Sequence, residues 1–135
     1  MMETIRVFLS DPQVLFREGI HFTLSGEEDF EVTGETTNNE DAYVAIETNP
    51  PTIAVLSMRN SKLDGPTVTQ RIRRNHPSVA VILVTESHNE EESFAALKSG
   101  AAACITKDAD PNFLLETLRG VTQGHHPIIE CFFLP

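Results

Sequence analysis

Cysteine and basic residues are both scarce in this chain of 135 residues. Cys104 and Cys131 are too few for a disulfide-stapled scaffold, and they lack the spacing of a metal site. Ten Lys and Arg residues against 20 Asp and Glu residues give a formal net charge of −10. Such a charge argues against this domain gripping a phosphate backbone by itself. DNA binding would therefore need a second domain with a basic surface.

Long apolar runs and an amino-terminal signal sequence are also missing. The longest apolar runs fall far short of the roughly 20 residues that span a bilayer, so we expect no membrane contact and a cytoplasmic location. The apolar fraction of 40% and the charged fraction of 22% are ordinary for a globular protein. A chain of this length is expected to form one domain with a hydrophobic core.

Short apolar runs alternate with segments of helical spacing along the chain. The apolar runs predict strands at 5–10, 30–36, 51–57, 79–84 and 102–106, and helices are predicted at 11–24, 38–48, 65–75, 89–98 and 111–120. Five β-α units with short connections predict an α/β fold, with a doubly wound five-stranded parallel sheet and helices on both faces. Residues 1–124 form the predicted domain, and the tail 125–135 shows no clear period.

Two helices carry specific expectations. Asp11 is a favoured N-cap residue and Pro12 suits a first helical position, so the first helix is predicted to start there. In the fourth helix the large apolar residues, Phe94 and Leu97, are predicted to face the core.

Polar residues gather where the predicted strands end: Ser10, Asp11, Ser57, Thr85, Glu86 and Lys107. The carboxyl ends of parallel strands share one rim of the sheet, which is the usual place for a site in this architecture. No glycine-rich phosphate loop follows the first strand, and the five histidines lie on helices or loops away from the rim. A nucleotide-binding enzyme of the flavodoxin-like type is therefore disfavoured.

The order and spacing of several segments resemble response-regulator receiver domains, and most of all those of the NarL/LuxR type. The resemblance covers roughly residues 5–124. It is carried by Ile5-Arg6-Val7-Phe8-Leu9-Ser10-Asp11, Phe16-Arg17-Glu18-Gly19, Leu63-Asp64-Gly65, Val84-Thr85, and Lys98-Ser99-Gly100-Ala101 through Lys107-Asp108. It implies a (βα)5 flavodoxin-like receiver fold.

In that family an acidic pair after the first strand holds Mg²⁺, and an Asp ending the third strand accepts a phosphoryl group. A Thr or Ser after the fourth strand and a Lys after the fifth contact the phosphoryl oxygens. Asp11, Thr85 and Lys107 match this pattern, but Pro12 replaces the second acid and Ser57 replaces the acceptor Asp. The resemblance thus implies a degenerate phosphoacceptor pocket with no catalytic residue, no metal and no cofactor.

Each of these positions also has a plainer interpretation. Asp11 could simply cap a helix, Thr85 and Ser57 could simply end strands, and Glu86 could be a solvated side chain. Ser57 is predicted to be half-buried, without an adjacent general base, and thus a weak nucleophile. Lys107 is expected to turn toward Asp11, Glu86 or water, because its usual carboxylate partner is absent.

Cys104 stands where many family members carry an aromatic switch residue. A small thiol cannot swing as a ring does, and an unmodified Cys behaves mostly as a modest apolar residue. A redox role would need a stabilised thiolate, and Lys107 is the one candidate for stabilising it. The usual switch is therefore not expected.

Some apolar residues fall outside the predicted core stripes. Leu15 and Phe22 lie beside the inward stripe of the first helix, and Phe113 lies beside that of the last helix. Clustered apolar residues of this kind mark an interaction surface, or else the periphery of the core. The apolar tail is expected to dock on the domain, dock on another protomer, or lead into a further domain.

The preferred hypothesis is a non-enzymatic, phosphorylation-independent signalling and dimerisation module of a transcription regulator. Its partners would be proteins, including a second copy of itself, and DNA would be bound only through a helix-turn-helix domain outside this chain. The alternative is a receiver that responds at the altered rim, by Ser57 phosphorylation or by binding an anion or small molecule near Lys107. A stand-alone flavodoxin-like enzyme is the third hypothesis.

Overall fold

Strands and helices alternate along the chain as the sequence predicts. The computed structural model describes residues 3–60, 62–87 and 89–124, together with the backbone of 128–129. The strands are β1 (Ile5–Ser10), β2 (Phe30–Thr36), β3 (Ile53–Ser57), β4 (Ala80–Thr85), β5 (Ala103–Thr106) and β6 (Ile128–Ile129). The helices are α1 (Val14–Ser25), α2 (Asn39–Thr48), α3 (Gly65–Asn75), α4 (Glu90–Ser99) and α5 (Pro111–Thr122).

The strands form one parallel sheet in the order β2-β1-β3-β4-β5-β6. Strands β1 to β5 and the five helices confirm the predicted doubly wound fold. Every residue of β3 is buried, because helices cover both faces of the sheet. This double coverage is why β3 has no alternation of apolar and polar residues.

Two separate hydrophobic cores lie on the two faces of the sheet. One core joins the sheet to α1 and α5, and its helical members are Ile20, Leu24, Leu114, Leu115, Leu118 and Val121. The other joins the sheet to α2, α3 and α4, and its helical members are Ala42, Ile46, Val68, Ile72 and Ala96. In β1, β3, β4 and β5, alternate residues supply the two cores, as the pleat of a strand requires.

Four of the five helices begin with a side-chain cap, but α1 does not. Asp64, for example, accepts a hydrogen bond from the Thr67 backbone N–H at 2.8 Å. Helix α1 begins at Val14, and its N-cap residue Gln13 makes no side-chain cap bond. The prediction that Asp11 and Pro12 start this helix was wrong. The reason is that the Asp11 carboxylate turns into the rim, where it serves other partners.

The inward face of α4 consists of small residues, and this makes the prediction for Phe94 wrong. Ser93, Ala96 and Ser99 are buried, and Leu97 is partly buried as expected, but Phe94 is 57% exposed. Small side chains let α4 pack closely on its neighbours. The helical spacing of large apolar residues therefore predicts Leu97 correctly but not Phe94.

Gly65 brings the start of α3 against the end of β3. A Cβ atom at this position would lie 2.7 Å from the Ser57 carbonyl oxygen and 2.8 Å from Met58 Cα, which is too close for any side chain. The Gly65 N–H donates to the Met58 carbonyl at 2.9 Å. The loop from β3 to α3 is thereby held tightly against the rim.

The short strand β6 was not predicted from the sequence. It pairs in parallel with β5, with Ala103 opposite Ile128 and Cys104 opposite Ile129. A strand of two residues is too short to show a period, so its pairing is decided by the edge that β5 offers. In the part of the chain that the structure describes, no helix combines the length and hydropathy that a bilayer crossing needs.

Candidate functional site at the carboxyl end of the sheet

Asp11, directly after β1, is the centre of a buried polar cluster. Its side chain is only 3% exposed. Oδ1 accepts hydrogen bonds from Lys107 Nζ at 2.9 Å and from the Gln13 backbone N–H at 2.8 Å, and Oδ2 accepts from Ser57 Oγ at 3.0 Å. Both carboxylate oxygens are therefore engaged, and the negative charge is balanced within the cluster.

Lys107, directly after β5, supplies that balancing charge. Its ammonium lies 2.9 Å from Asp11 Oδ1 and 3.1 Å from Glu86 Oε1, so both ion pairs named by the sequence are present. It also donates to Gln13 Oε1, and it lies 5.0 Å from the centre of the Phe16 ring. Two hydrogen bonds and one further ion pair thus hold the ammonium within the cluster.

Ser57 ends β3 inside this cluster and is only 4% exposed, which is deeper than the half-buried setting predicted. Its Oγ lies 3.1 Å from the Ser10 carbonyl oxygen as well as 3.0 Å from Asp11 Oδ2. The single hydroxyl hydrogen is shared between these two acceptors. The expectation that no base lies beside Ser57 was wrong, because topology brings the Asp11 carboxylate to it from another strand.

Thr85, at the end of β4, lies on the same rim but takes no part in the cluster. It is 2% exposed, and its hydroxyl donates to the Ser87 carbonyl at 3.0 Å within its own loop. A cavity of about 40 Å³ separates it from the cluster, lined by Asp11, Pro12, Ser57, Met58, Arg59, Val84, Thr85, Glu86 and Lys107. A space of this size has room for water and for little more.

Asn39 is a site residue that the sequence analysis missed. It opens α2 and is fully buried, yet every part of its amide is bonded. Its Oδ1 accepts from Ser10 Oγ at 3.1 Å, and its Nδ2 donates to the carbonyl oxygens of Ser57 at 3.0 Å and Leu63 at 2.9 Å. Asn39 thus ties β1, β3 and the β3–α3 loop together. The sequence offers no signal for this role, since the adjacent Asn38 accounts for the helix cap.

Arg17 connects the cluster to β2. Its guanidinium donates to the Asp11 backbone carbonyl and, at 2.7 Å, to Glu35 Oε1 on β2. The hydrogen bond from Arg17 lowers the pKa of Glu35, and His21 at 2.5 Å adds a smaller effect of the same sign. Glu35 therefore stays ionised and keeps Arg17 in place over Asp11.

Cys104 points from β5 into one of the two cores and not toward the polar cluster at the rim. It is fully buried in the core that contains α2, α3 and α4. Among the described residues, no group of three or more His, Cys, Asp or Glu side chains is placed to hold a metal ion.

A groove on the outer surface runs between α1 and α5. It has a volume of about 370 Å³, and its lining includes Leu15, Phe16, Phe22, Lys107, Pro111 and Leu114. Leu15 and Phe22 are 84% and 82% exposed, which confirms that they lie off the core stripe. Phe113 does not line this groove and instead packs partly against the core. Lys107 belongs both to the groove and to the polar cluster.

Known proteins share both the fold and the sequence pattern of this chain. It is 28% identical over 120 residues to the transcriptional regulatory protein DegU of Brevibacillus brevis, covering 89% of this chain and 51% of that protein. It is 27% identical over 129 residues to the nitrate/nitrite response regulator protein NarL of Escherichia coli K12, covering 96% of this chain and 60% of that protein. The chain thus spans little more than half the length of these curated relatives.

A solved structure matches closely as well. The signal receiver domain of the putative response regulator NarL from Mycobacterium tuberculosis superposes with a TM-score of 0.86 at 28% identity, covering 91% of this chain and 99% of that domain. The fold and the polar rim therefore define a receiver-type signalling domain.

The model of the response regulator receiver domain matches residues 7–119. This chain belongs to the response regulator receiver domain family, and its relatives are regulators of the NarL/LuxR type.

Proposed function

We propose that this chain is a receiver domain that signals without phosphorylation and without enzymatic activity, through contacts with other proteins. The observation that supports this most directly is the closed cluster of Asp11, Ser57 and Lys107. Each ionic group at the rim already has a partner within the chain.

Phosphoryl transfer to Ser57 is disfavoured by its surroundings. A serine cannot form the acyl phosphate that an Asp forms, and this hydroxyl is 4% exposed. Asp11 is the adjacent base, but its carboxylate already accepts hydrogen bonds from Lys107 and from the Gln13 backbone N–H. Ser57 is therefore a weak nucleophile in a place that a phosphodonor reaches poorly.

A magnesium ion also fits these residues poorly. Mg²⁺ demands near-octahedral oxygen ligands, usually including carboxylates. Pro12 offers no side-chain oxygen, both oxygens of Asp11 are engaged, and Lys107 places a positive charge 2.9 Å from one of them. No chemical step through a metal is assigned to this site.

The test is incubation with acetyl phosphate and Mg²⁺, followed by measurement of the intact mass. We expect no added phosphoryl group on the unaltered protein. Ser57→Asp alone should restore little, whereas Ser57→Asp combined with Pro12→Asp should gain measurable Mg²⁺ binding. A Mg²⁺-dependent gain of one phosphoryl group, mapped to Ser57 or Asp11, would overturn the proposal.

That same outcome would support the alternative, a receiver modified at Ser57. The hydrogen bond from Ser57 to Asp11 is the one observation that favours it, since it supplies a base. Binding of a simple anion near Lys107 is less favoured, because its ammonium already donates to Asp11 and Gln13 and pairs with Glu86, and the carboxylates of Asp11 and Glu86 would repel the anion.

Association is the second part of the proposal. We expect two copies to pair through the face formed by α1 and α5, because Leu15 and Phe22 expose large apolar side chains beside an open groove. A stable pair would bury on the order of 800 Å² or more per partner.

Sedimentation of the chain tests the pairing. Leu15→Glu or Phe22→Glu should dissociate the dimer, whereas Val44→Glu should not. Val44 is a suitable control because it is 61% exposed but lies on α2, on the other face of the sheet. A monomer at high micromolar concentration, unchanged by Leu15→Glu, contradicts the proposed interface.

The third part concerns the wider protein. We propose that residues 1–124 are the receiver of a cytoplasmic transcription regulator, and that the tail 125–135 leads toward a domain that binds DNA. Its support is the length of the relatives, of which this chain covers 51% and 60% in the two cases given. Reading the coding frame beyond Pro135 tests it. A basic segment of about 60 residues with a helix-turn-helix pattern is expected there.

A further inference from the structure

A groove of about 490 Å³ lies at the amino end of the sheet, away from the polar rim. It is bordered by the last turns of α3, α4 and α5 and by the starts of β4 and β5. Its volume falls within the range of about 300–1,000 Å³ that is usual for small-molecule sites. Its apolar wall consists of Ala80, Val81, Leu97, Ala101, Ala102 and Val121. Although the chain carries a net charge of −10, no acidic residue occurs among the described residues that line this groove.

Arg73, in the last turn of α3, supplies a positive charge to the groove. Its Nη1 donates to the Pro77 carbonyl at 2.6 Å and to the Val79 carbonyl at 2.9 Å. Its aliphatic stem lies against Gly100, where a Cβ atom would come within 3.3 Å of Arg73 Cγ. Gly100 ends α4 with a left-handed backbone, at a φ of 99°. The guanidinium is therefore held in one orientation at the wall of the groove.

The other edge of this guanidinium is unoccupied within the described part of the chain. An arginine has five N–H donors, and the two on Nη1 serve Pro77 and Val79. The remaining three, on Nε and Nη2, donate to no acceptor among the residues that the structure describes. Nε and Nη2 together form a planar fork that matches the two oxygens of a carboxylate. The groove thus presents a fixed carboxylate-binding edge.

Arg119, at the same end of the sheet, shows what this fork does when a carboxylate is within reach. Its Nε and Nη2 donate to the two oxygens of Asp29, at 2.8 and 2.9 Å. Arg73 offers the same two nitrogens to a groove whose described lining contains no acid. The two arginines therefore differ in the supply of a carboxylate and not in the chemistry of the side chain.

We propose that this groove binds a small molecule with an apolar body and a carboxylate head, and that the carboxylate pairs with Nε and Nη2 of Arg73. The apolar wall receives the body of the ligand, because it offers only aliphatic side chains. Charge complementarity selects a carboxylate over a neutral head group. Little ordering is needed on binding, since Nη1 is already anchored. The domain thereby has an input at the end of the sheet opposite to the closed rim.

Titration calorimetry of the full chain with octanoate tests the proposal. We expect saturable binding that Arg73→Gln weakens at least about tenfold, because hydrogen bonds to a charged group are lost. Arg71→Gln is the matched control, since Arg71 is exposed on the same helix but does not line the groove. It should change the affinity by no more than about twofold, because salt screens distant exposed charges. Octanol, which has the same apolar body without the charge, should bind at least about tenfold more weakly than octanoate.

A second pair of variants decides the question even if Arg73→Gln disturbs the fold, since Arg73 also holds the loop that precedes β4. Ser78 is exposed and lines the groove. Ser78→Glu should weaken octanoate binding, because the new carboxylate either takes up the fork or repels the ligand. Ser78→Gln, of the same size but without charge, should leave the affinity unchanged. Far-ultraviolet circular dichroism of each variant verifies that the fold persists.

The position of the bound octanoate is checked by amide chemical shifts in nuclear magnetic resonance. The resonances of Gly100 and Ala101 should move on titration, and that of Gly19, in the groove between α1 and α5, should not. Shifts confined to Gly19, together with equal affinities of the parent chain and Ser78→Glu, would overturn the proposal. Failure of octanoate to bind saturably at millimolar concentrations would overturn it as well, and so would octanol binding as tightly as octanoate.

Discussion

The two ends of the sheet each carry a cluster of ion pairs, and the two clusters differ in burial. At the carboxyl end, the side chains of Lys107 and Asp11 are 13% and 3% exposed. At the amino end, Arg119 near the end of α5 donates to both oxygens of Asp29, at 2.8 and 2.9 Å, and to Glu27 at 2.7 Å. The Arg119 side chain is 37% exposed.

The difference shows how the same chemistry serves two purposes. The Arg119 cluster faces solvent, so water competes for its members and it stabilises the fold only modestly. The Lys107 cluster is enclosed by strand ends, so neither charge can lose its partner and turn fully to water. The first cluster fastens α5 to the start of β2. The Lys107 cluster leaves the charged groups of the rim paired with one another.

Breaking the buried ion pair between Lys107 and Asp11 should cause the largest loss of stability. Lys107→Met leaves the Asp11 carboxylate buried without its counter-ion, and we expect a loss of about 3–5 kcal/mol in the free energy of unfolding. Urea denaturation measures it. Adding Asp11→Asn should recover part of the loss, because the uncompensated charge is then gone.

Lys98→Met is the matched control, since Lys98 lies on α4, away from the rim. It should change the stability by no more than about 0.5 kcal/mol. If Lys107→Met proved as mild as Lys98→Met, the rim would contribute no more than an ordinary surface pair, and the contrast between the two ends would disappear.

Removing the amide that ties the rim together should have the next largest effect. Asn39→Ala leaves the carbonyl oxygens of Ser57 and Leu63 without their buried donors, and a loss of about 2–3 kcal/mol is expected. Asn38→Ala removes only a helix cap and should cost about 1 kcal/mol. Thermal or chemical denaturation of both variants compares them, and equal losses would show that Asn39 acts as no more than part of the helix start.

Removing Arg119 from the solvent-facing cluster should cause the smallest loss of stability, and that loss should depend on pH. Arg119→Met removes the bonds to Asp29 and Glu27 and the contact with the Phe30 ring, at a cost of about 1–2 kcal/mol near neutral pH. The hydrogen bond from Arg119 lowers the pKa of Asp29 below its ordinary value of 3.8. This stabilisation is therefore present above pH 3.8 and is lost as the pH falls through the folded-state pKa.

Unfolding curves of the parent chain and Arg119→Met at several pH values test that sign. The gap between them should be widest near neutral pH and should narrow once the pH falls below about 4. A gap that stays constant down to about pH 3 would mean that the guanidinium stabilises the fold mainly by packing on Phe30.

Several features of this protein are visible in the amino-acid order. The fold follows from short apolar runs that alternate with helical spacings, since each run or stripe must bury its apolar side chains and parallel strands need helical crossovers. The caps at Asp64 and Asp110 are equally local, because a cap involves residues within three positions of one another. Leu15 and Phe22 could be placed outside the core by helical period alone.

Other features depend on contacts between distant parts of the chain, and only the tertiary structure decided them. Asp11 looks like a helix cap until Lys107, 96 positions away, and Ser57, 46 positions away, bring stronger claims on its carboxylate. Asn39 is an ordinary polar residue until three backbone segments close around it. Phe94 has the spacing of a core residue, but α4 packs closely through the smaller side chains of Ser93, Ala96 and Ser99 and leaves Phe94 exposed. In each case the deciding energy is the cost of burying a polar group or filling a space, and that cost exists only once the strands and helices have met.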